Sequence, residues 1–530
     1  MSTTASVVVT SRMSALGGSH RDMANYLLAP TPRLAQKVTG DALQDEFTQL
    51  RELFTVDSAK LKQITDHFVH ELEIGKYILP GYLDAVDANM FQGSVAKAAT
   101  LYVITAYCLP ATIQANGNEQ PMNPTWVMEL PRGDEKGAFF TMDMGGTNFR
   151  VCKVTLNGTA GKYDVIQMDN KIPKSLKSGT AEQLWHYVAD CLQQFVDRYS
   201  ISQKELAETP LAFTFSYPVT QTSISHGILQ RWTKGFDIKG VEGTDVVAAL
   251  QKVLKDKNLP ARIVALVNDT VGTLMASSYV DPKTEIGSIF GTGSNAAYME
   301  QCSKIPKLAD QHLPDDAFMA INCEYGAFDN SQRVLPFTVF DAEIDRASPR
   351  PGQQRYEKMV AGFYLGEIFR LILLDLHNRK VIFDGQNSSK LSEPYVLDCC
   401  FLATIESDNS ADLQTVKDTF EKTLSITPTP PELRFCYDLA HTISLRSARL
   451  YACGIAAIMK KRGLESCHVA VDGSVFNKYP CFPERAIGAL REILEWPADT
   501  PDPIRLIPAV DGSSVGAAVI ASLISKSQQS

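Results

Sequence analysis

The 530-residue sequence has no apolar run long enough to span a membrane. Residues 369–376 are interrupted by Arg370 and Asp375, and the apolar run at 515–525 is too short. The chain also has no block of lysine and arginine, and its formal net charge is −9. We therefore expect a protein with no integral membrane span and no nucleic acid as its main partner.

The eleven cysteines form no Cys-x-x-Cys pair, and only Cys399 and Cys400 are adjacent. An odd number without framework spacing predicts free thiols in a reducing compartment, so we expect a cytoplasmic protein. Residues 1–21 contain Arg12, Arg21 and many hydroxyl side chains but no acid, which faintly resembles an organelle-targeting segment. They lack an amphipathic pattern, so we favour a flexible extension over residues 1–40, with an organelle association as the alternative.

Helical periodicity begins near Asp41 and continues through two segments. The first places apolar residues at Leu43, Phe47, Leu50 and Leu53, and the second at Leu61, Ile64, Phe68 and Leu72. His67 and His70 lie one turn apart and would suit a metal ion, but no further histidine or cysteine lies near them in the sequence. A solvated helix face is the better interpretation of this pair.

Two glycine-rich turns each separate a pair of apolar strands. Residues 139–142 lead to the turn Gly145-Gly146-Thr147, and a strand resumes at 149–156; residues 286–290 lead to Gly291-Thr292-Gly293, followed by 295–299. This spacing predicts two hairpins in different halves of the chain. We infer a duplicated architecture in which each half carries one turn able to contact phosphate.

Buried strands are also predicted at 211–215 and 263–267, each followed by polar residues. Ser216 follows the first, and Asn268-Asp269 follows the second; ligands in α/β sheets gather at such carboxyl ends. Farther along, we predict helices over 354–376 and 441–461, the latter ended by Gly463, a strand at 469–471 and a buried final helix over 515–524.

Phosphoryl transfer needs a cradle of donors, a divalent cation and a base. The two glycine turns let backbone N–H groups approach phosphate oxygens, and Thr147 and Thr292 add hydroxyls. Asp269 is the candidate base and Lys234 a candidate charge stabiliser. Each has an ordinary alternative: tight hairpins for the turns, a helix cap for Asp269 and a surface position for Lys234.

Several carboxylates and amides suit a polyhydroxyl substrate, because they accept and donate hydrogen bonds together. The candidates are Asn295, Glu324 and Glu357. No single one is decisive, but their order along the chain, together with the two glycine turns, is informative.

That order resembles the hexokinase family over residues 47–524. The matching segments are 143–150, 213–218, 232–236, 267–270, 290–295, the stretches around Glu324 and Glu357, 471–474 and 511–514. The resemblance implies an α/β, actin-like ATPase (ribonuclease H-like) fold with two lobes around a hinged cleft. It implies a large lobe over 41–122 and 270–510, and a small lobe over 123–269 and 511–530.

The resemblance also implies the activity: ATP-dependent phosphorylation of the 6-hydroxyl of glucose and related hexoses, the first step of glycolysis. Asp269 would be the base and Lys234 the charge stabiliser, and both would border the hexose. The other implied hexose contacts are Ser216, Thr233, Asn268, Asn295, Glu324 and Glu357. The implied ATP contacts are Asp143, Gly145, Gly146, Thr147, Asn148, Arg150, Gly291, Thr292, Gly293, Gly473, Ser474 and Gly512.

Asp143 would also lie near Mg²⁺, through water, and the protein would be a monomer or a homodimer. The sequence departs from the family pattern at Tyr217, Tyr325, Asp329 and Val515; the last stands where a basic residue is frequent near ATP. Three alternatives stay open: a kinase with another small-molecule acceptor, a non-catalytic sugar sensor, and an actin-like or chaperone-like ATPase. The intact candidate base and turns argue against the sensor.

Overall fold

The computed structural model describes residues 40–74, 120–497, 499–509 and 512–527. Residues 1–39, which make up nearly all of the extension predicted to be flexible, lie outside the described residues. The first described helix begins at Gly40, close to the predicted start of the helical pattern at Asp41.

Most strands of the described chain belong to two mixed sheets. The first has the order β4-β3-β2-β5-β8, the second β1-β11-β10-β9-β12-β13, and β6 and β7 form a separate hairpin. The strands are β1 Asn123–Pro124, β2 Lys136–Met144, β3 Asn148–Asn157, β4 Tyr163–Lys171, β5 Leu211–Phe215, β6 Val219–Ser223, β7 His226–Leu229, β8 Ile263–Val267, β9 Thr284–Phe290, β10 Ser294–Gln301, β11 Phe318–Asn322, β12 Cys467–Asp472 and β13 Ile504–Pro508.

Helices cover both sheets. They are α1 Gly40–Phe54, α2 Ser58–Ile74, α3 Ala181–Arg198, α4 Gln203–Glu208, α5 Val246–Asp256, α6 Asp269–Val280, α7 Val339–Ala347, α8 Arg355–Val360, α9 Gly362–Asn378, α10 Cys399–Glu406, α11 Gln414–Leu424, α12 Pro430–Arg462, α13 Ser474–Lys478, α14 Phe482–Leu494 and α15 Gly512–Ser527. Short 3₁₀ turns occupy several of the connections. No helix within the described residues combines the length and hydropathy needed to cross a bilayer.

The two sheets repeat one topology, as the paired glycine hairpins predicted. In the first, β4, β3 and β2 are antiparallel, and β5 and β8 then continue the sheet in parallel with β2. In the second, β11, β10 and β9 are antiparallel, and β12 and β13 continue in parallel with β9. We call the six-stranded half the large lobe and the five-stranded half the small lobe.

Three hydrophobic cores hold these layers together. One packs the helices of the large lobe on its sheet, and another packs α3 and α5 on the small sheet. The third joins the lobes and consists mainly of α6, α15 and strand residues from both sheets. Helices α6 and α15 cross so closely that a Cβ atom on Gly516 would lie 1.9 Å from the carbonyl oxygen of Gly272.

The predicted helix over 354–376 is wrong as a single element, because the chain breaks at Ala361 into α8 and α9. Ala361 is extended, with φ −76° and ψ 148°. The N–H of Gly362, immediately after it, donates to the carbonyl of Gly291 at 2.8 Å. The second glycine turn therefore separates the two helices, and no local sequence signal reveals that contact.

Two further sequence predictions need correction in detail. Helix α12 starts at Pro430, eleven residues before the predicted start, since Thr429 and Glu432 form a capping box ahead of it. The predicted end at Gly463 is confirmed: this residue is left-handed, with φ +66°. On α1, Leu53 is 44% exposed while Phe54 is buried, so the inward face is rotated by one position at that end.

The predicted solvated face at His67 and His70 is also only half right. His70 is exposed, but the Nε2 atom of His67 lies 3.1 Å from Glu71 and 4.0 Å from Asp329. Asp329 comes from the loop after β11, so its proximity to α2 follows from tertiary packing. The free thiols predicted from cysteine spacing are confirmed for the ten cysteines in the described part of the chain.

The lobe boundaries predicted from the resemblance stay predictions, although the sheets locate the nearest elements. Asn123 and Pro124, where the small lobe was expected to begin, pair with β11 of the large sheet. Helix α6, which starts at the other expected boundary, packs against β9 and α15. Two connections between the lobes within the described residues therefore run through β1 and α6.

Candidate active site

The centre of the candidate site is a lysine–carboxylate pair between a loop of the small lobe and the first residue of α6. The Nζ atom of Lys234 lies 3.3 Å from Oδ2 of Asp269 and donates to the backbone oxygen of Ser216 at 2.8 Å. Lys234 has a left-handed backbone, with φ +56°. With this strained conformation the Lys234 side chain reaches residues that follow β5 and β8, at the sheet edge where polar groups lie.

Asp269 begins helix α6 without serving as its N-cap. The cap is Asn268, whose Oδ1 accepts the N–H of Thr270 at 2.9 Å. Asp269 Oδ1 also accepts from that N–H, at 2.9 Å. Its Oδ2 is directed to Lys234, and the Asp269 side chain is 14% exposed. The helix-cap alternative for Asp269 therefore applies to its neighbour, and Asp269 keeps an oxygen accessible from the cleft.

The first glycine turn, between β2 and β3, lies against this pair. A Cβ atom at Gly146 would lie 3.4 Å from Cβ of Lys234. The turn is closed by a hydrogen bond from the N–H of Gly145 to the carbonyl of Asn148, at 3.2 Å. The hydroxyl of Tyr217 donates to the carbonyl of Gly145 at 3.1 Å, which ties the turn to the loop after β5.

The second glycine turn, between β9 and β10, contacts the turn after β12. A Cβ atom at Gly291 would lie 3.2 Å from the backbone nitrogen of Ser474. Gly473 has φ +136°, and a Cβ there would lie 2.2 Å from the carbonyl oxygen of Phe290. Only glycine fits this position, and two of the predicted ATP segments therefore lie side by side.

Three polar side chains of the large lobe form one hydrogen-bonded group. The Nδ2 atom of Asn295 donates to Oε1 of Glu324 at 3.2 Å and to Oδ1 of Asn322 at 2.8 Å. Asn322 in turn donates to Oε1 of Glu324 at 2.8 Å. Glu324 has a left-handed backbone, with φ +52°, and its N–H donates to Oδ1 of Asn295.

Glu357, at the start of α8, binds the backbone of the second glycine turn. Its Oε2 accepts the N–H of Ser294 at 3.0 Å, and a Cβ at Gly293 would approach that oxygen to 2.7 Å. Glu357, a predicted hexose contact, is thus hydrogen-bonded to the backbone of a predicted phosphate turn.

Comparisons with known proteins show the family to which the chain belongs. Two family models, both described as hexokinase, match residues 87–279 and 285–523. The hexokinase of Emericella nidulans is 49% identical over 486 residues, covering 91% of each chain. Hexokinase-1 of Saccharomyces cerevisiae is 44% identical over 490 residues, covering 91% of this chain and 93% of the yeast protein. The chain belongs to the hexokinase family.

A solved structure extends the hexokinase likeness to three dimensions. The hexokinase from Schistosoma mansoni, determined in complex with glucose, superposes with a TM-score of 0.77 at 31% identity. The alignment covers 92% of this chain and all of that chain. The predicted actin-like fold with two α/β lobes is therefore confirmed.

Burial dominates the electrostatics of this hexokinase site. Burial raises the pKa of Asp143 to about 7, against the opposing effect of Arg150 and with a further increase from Asp269. Burial likewise raises the pKa of Glu324 and of Glu357, and hydrogen bonds to their carboxylates offset part of the change. The site therefore holds several carboxylates close together in a shielded cleft, an arrangement common where protons or cations are handled.

Two of the predicted ATP contacts, one at the phosphates and one at the nucleoside, lie on β3 and at the start of α15. Arg150 lies on β3, where its Nε donates to Asp169 at 2.9 Å. Gly512 begins α15 and packs against Thr273 of α6. Val515, which replaces a frequently basic residue, is 1% exposed, so it contributes to the core between the lobes and supplies no charge.

Sequence reasoning missed two hexokinase site residues that the structure brings in. Asn322 completes the polar group with Asn295 and Glu324. Its position at the carboxyl end of β11, two residues before Glu324, could have indicated that it belongs to the site. Arg231 precedes the Trp232–Lys234 segment, and its Nε atom is buried with no hydrogen-bond partner among the described residues. Burial lowers the pKa of Arg231, and Glu324 and Glu357 oppose that effect.

Proposed function

We propose that this hexokinase transfers the γ-phosphoryl group of ATP to the 6-hydroxyl of glucose and related hexoses. The observation that carries the proposal is the Lys234–Asp269 pair, 3.3 Å apart, placed between the first glycine turn and the polar residues of the cleft. A carboxylate, a cation and a phosphate-sized backbone cradle are the parts that such a transfer needs.

Asp269 acts as the general base in this proposal. One carboxylate oxygen accepts the proton of the hexose 6-hydroxyl as the oxygen of that hydroxyl bonds to the γ-phosphorus and the bond from the γ-phosphorus to the β,γ-bridging oxygen breaks. The products are the hexose 6-phosphate and ADP, and Asp269 then releases its proton to solvent. The positive charge of Lys234 compensates the negative charge that shifts during transfer.

The hexose is held by polar groups from both lobes. Asn295 and Glu324 supply a donor and an acceptor that are already oriented by Asn322, so little ordering is needed when sugar binds. Glu357 supplies a second carboxylate, and Ser216, Thr233 and Asn268 border the sugar from the small lobe. The glucose in the Schistosoma mansoni complex supports a hexose as the acceptor.

The nucleotide spans both glycine turns. Backbone amides at 145–148 and 291–293 cradle the phosphates, with hydroxyl groups from Thr147 and Thr292 and charge from Arg150. The turn at Gly473 and Ser474, together with Gly512, borders the nucleoside. These segments derive from β2, β9, β12 and α15, so binding ATP engages both lobes.

The residues present also fit Mg²⁺, the divalent ion that accompanies ATP. Asp143 is a partly buried carboxylate whose pKa is raised by desolvation and further by Asp269 and Asp472, and such clustered carboxylate oxygens suit a hard cation. Asp143 would hold the ion through water, where it would neutralise the charge of the β- and γ-phosphates.

Closure of the lobes around sugar follows from this arrangement, because an open ATP site would admit water as the acceptor. The proposal therefore includes hinge motion through β1 and α6, the segments that connect the lobes.

A coupled assay with purified protein tests the whole proposal. We expect ADP release to depend on glucose or a related hexose, to stop when a chelator removes divalent ions, and to resume with Mg²⁺. ADP release of equal rate without sugar would favour the actin-like ATPase. Turnover only with a non-sugar acceptor would favour another small-molecule kinase, and sugar binding without turnover would favour a sensor.

A further inference from the structure

An ion pair connects the two lobes at the rim of the cleft. The Nη2 atom of Arg350 lies 2.8 Å from Oε1 of Glu242. Glu242 follows Val241, which is buried in the core of the small lobe. Arg350 lies between α7 and α8, whose Ile344 and Tyr356 are buried in the core of the large lobe.

The same oxygen of Glu242 also fixes the backbone of the proposed sugar site. It accepts the N–H of Trp232 at 2.6 Å, and Thr233 and Lys234 follow directly. The Trp232 ring is 2% exposed, and its indole N–H donates to the carbonyl of Ile238 at 3.0 Å. Glu242 is therefore hydrogen-bonded to the backbone of the segment that carries Lys234, the candidate charge stabiliser.

On the other side, Arg350 belongs to a loop that is tied to α8. Lys358 donates to the backbone oxygen of Arg350 at 3.0 Å and to Oδ1 of Asp345 at 2.6 Å. Asp345 also accepts the N–H of Gly352 at 3.0 Å. Since Lys358 adjoins Glu357, a displacement of Arg350 is transmitted to the carboxylate proposed to bind hexose.

Glu242 also acts on a second cation. Arg231, one residue before Trp232, is electrostatically attracted to Glu324, Glu357 and Glu242 and repelled by Arg350. Neutralising Glu242 would remove one of the anions that offset the repulsion between the two arginines. The consequence would be a force that separates the small-lobe segment from the α7–α8 loop.

We propose that Glu242 and Arg350 are positioning residues that hold Thr233 and Lys234 of one lobe in register with Glu357 of the other. The proposal rests on the hexose site described above. It assigns no chemistry to either residue, because each acts through a neighbour. Their effect belongs to hexose binding, where both lobes must contact the same molecule.

Two substitutions test this with little disturbance. Glu242→Gln keeps an oxygen for the N–H of Trp232 and removes the charge, while Arg350→Met keeps the backbone oxygen that Lys358 contacts. We expect each to raise the KM for glucose about two- to five-fold, the range of a partly exposed ion pair. The KM for ATP should change little, and kcat should fall by a smaller factor than the KM for glucose rises, because Lys234 keeps its charge and its contact with Asp269. The double variant should equal either single one.

A matched control is the ion pair between Arg346 and Glu343 on α7, where Nη2 lies 2.5 Å from Oε1. This pair is also exposed but remains within one lobe, so Arg346→Met should leave the KM for glucose unchanged. Raising the salt concentration should move wild type toward the Glu242→Gln value, because exposed charges are screened. The Arg346→Met protein should respond to salt as wild type does.

An unchanged KM for glucose in both Glu242→Gln and Arg350→Met, or fully additive effects in the double variant, would overturn the proposal. Glu357→Gln, measured alongside, separates this from a failure of the hexose site itself. If Glu357→Gln also leaves the KM unchanged, the assigned hexose site is wrong. If only Glu357→Gln raises it, the site stands and the positioning role fails. Should Glu242→Gln not fold, Arg350→Met and its salt dependence decide the matter.

Discussion

At the scale of single residues, the site uses backbone conformations that side chains normally avoid. Lys234 and Glu324 both have positive φ, +56° and +52°. Each costs on the order of 1–3 kcal/mol relative to an ordinary conformation. The sequence could indicate the chemistry of these residues through their order along the chain. It could not indicate the conformation that directs them into the cleft, because that depends on contacts with distant segments.

Asp269, the proposed base, is the residue whose replacement should separate chemistry from binding. Asp269→Asn keeps the size of the side chain and part of its hydrogen bonding but removes the basic charge, so kcat should fall by ~10²-fold or more. Glucose should still bind, as measured by calorimetry, because the polar group around Asn295 is untouched. A wild-type kcat in this variant would show that Asp269 is not the base.

Glu357→Gln should behave differently, since that carboxylate is proposed to hold the sugar before and during transfer. We expect mainly a higher KM for glucose, by an amount equivalent to roughly 1–3 kcal/mol for a hydrogen bond to a charged group. Steady-state kinetics with glucose as the varied substrate measures this. Abolished kcat in Glu357→Gln with wild-type kcat in Asp269→Asn would reverse the two roles.

At the scale of elements, the sequence predicts a helix or strand correctly where neighbouring residues determine it, and fails where distant contacts do. The strands at 211–215 and 263–267 match β5 and β8 residue for residue, because a short buried apolar run bounded by polar residues is a local signal. The break at Ala361 and the approach of Asp329 to His67 depend on residues far away in sequence, and neither was foreseen.

Helix α2 is joined to the loop after β11 through His67. The hydrogen bond with Glu71 raises the pKa of His67 above its ordinary value. Folding therefore favours the protonated ring, and this stabilisation is complete below the ordinary pKa and is lost as the pH rises through the raised one. We expect His67→Gln to lower the melting temperature more at pH 6 than at pH 8.5.

His70→Gln is the matched control on the same helix. The His70 side chain is exposed, so its replacement should change the melting temperature little at either pH. An equal loss at both pH values for His67→Gln would mean that its packing, and not its charge, stabilises the helix.

The crossing of α6 and α15 fixes the first residue of α6, which is Asp269. Gly516→Ala would place a Cβ atom 1.9 Å from the carbonyl oxygen of Gly272, so the helices must separate. We expect a loss of about 1–3 kcal/mol in the free energy of unfolding together with a lower kcat. Denaturant unfolding and kinetics on the same preparation measure the two effects.

Gly488→Ala on α14 is the control, because a Cβ there meets nothing within 4 Å. It should stabilise the protein slightly, by about 0.5–1 kcal/mol, as alanine does in a helix. A Gly516→Ala protein as stable as wild type would show that the close crossing is not required.

At the scale of the whole molecule, the duplicated sheet topology places one glycine turn on each side of a cleft. The two hairpins and the two-lobed fold could be predicted from the sequence. The contact between Glu242 and Arg350, 108 residues apart, could not, since neither residue belongs to a recognisable pattern.

The proposed hinge predicts a change of shape with sugar. Small-angle scattering at saturating glucose should give a smaller radius of gyration than without sugar, because the lobes would close on a molecule that both contact. A non-phosphorylatable, non-binding sugar at the same concentration is the control. An unchanged radius with bound glucose would contradict hinge closure.

The carboxylate of Glu357 accepts a hydrogen bond from the N–H of Ser294 and is also a proposed sugar ligand. This shared use has a thermodynamic consequence. A shift of this carboxylate when sugar binds would move the turn proposed to meet ATP. Such coupling would obey reciprocity: the factor by which a non-hydrolysable ATP analogue changes the dissociation constant of glucose must equal the factor by which glucose changes that of the analogue. With one carboxylate serving both proposed sites, the affinity for each substrate would depend on the concentration of the other.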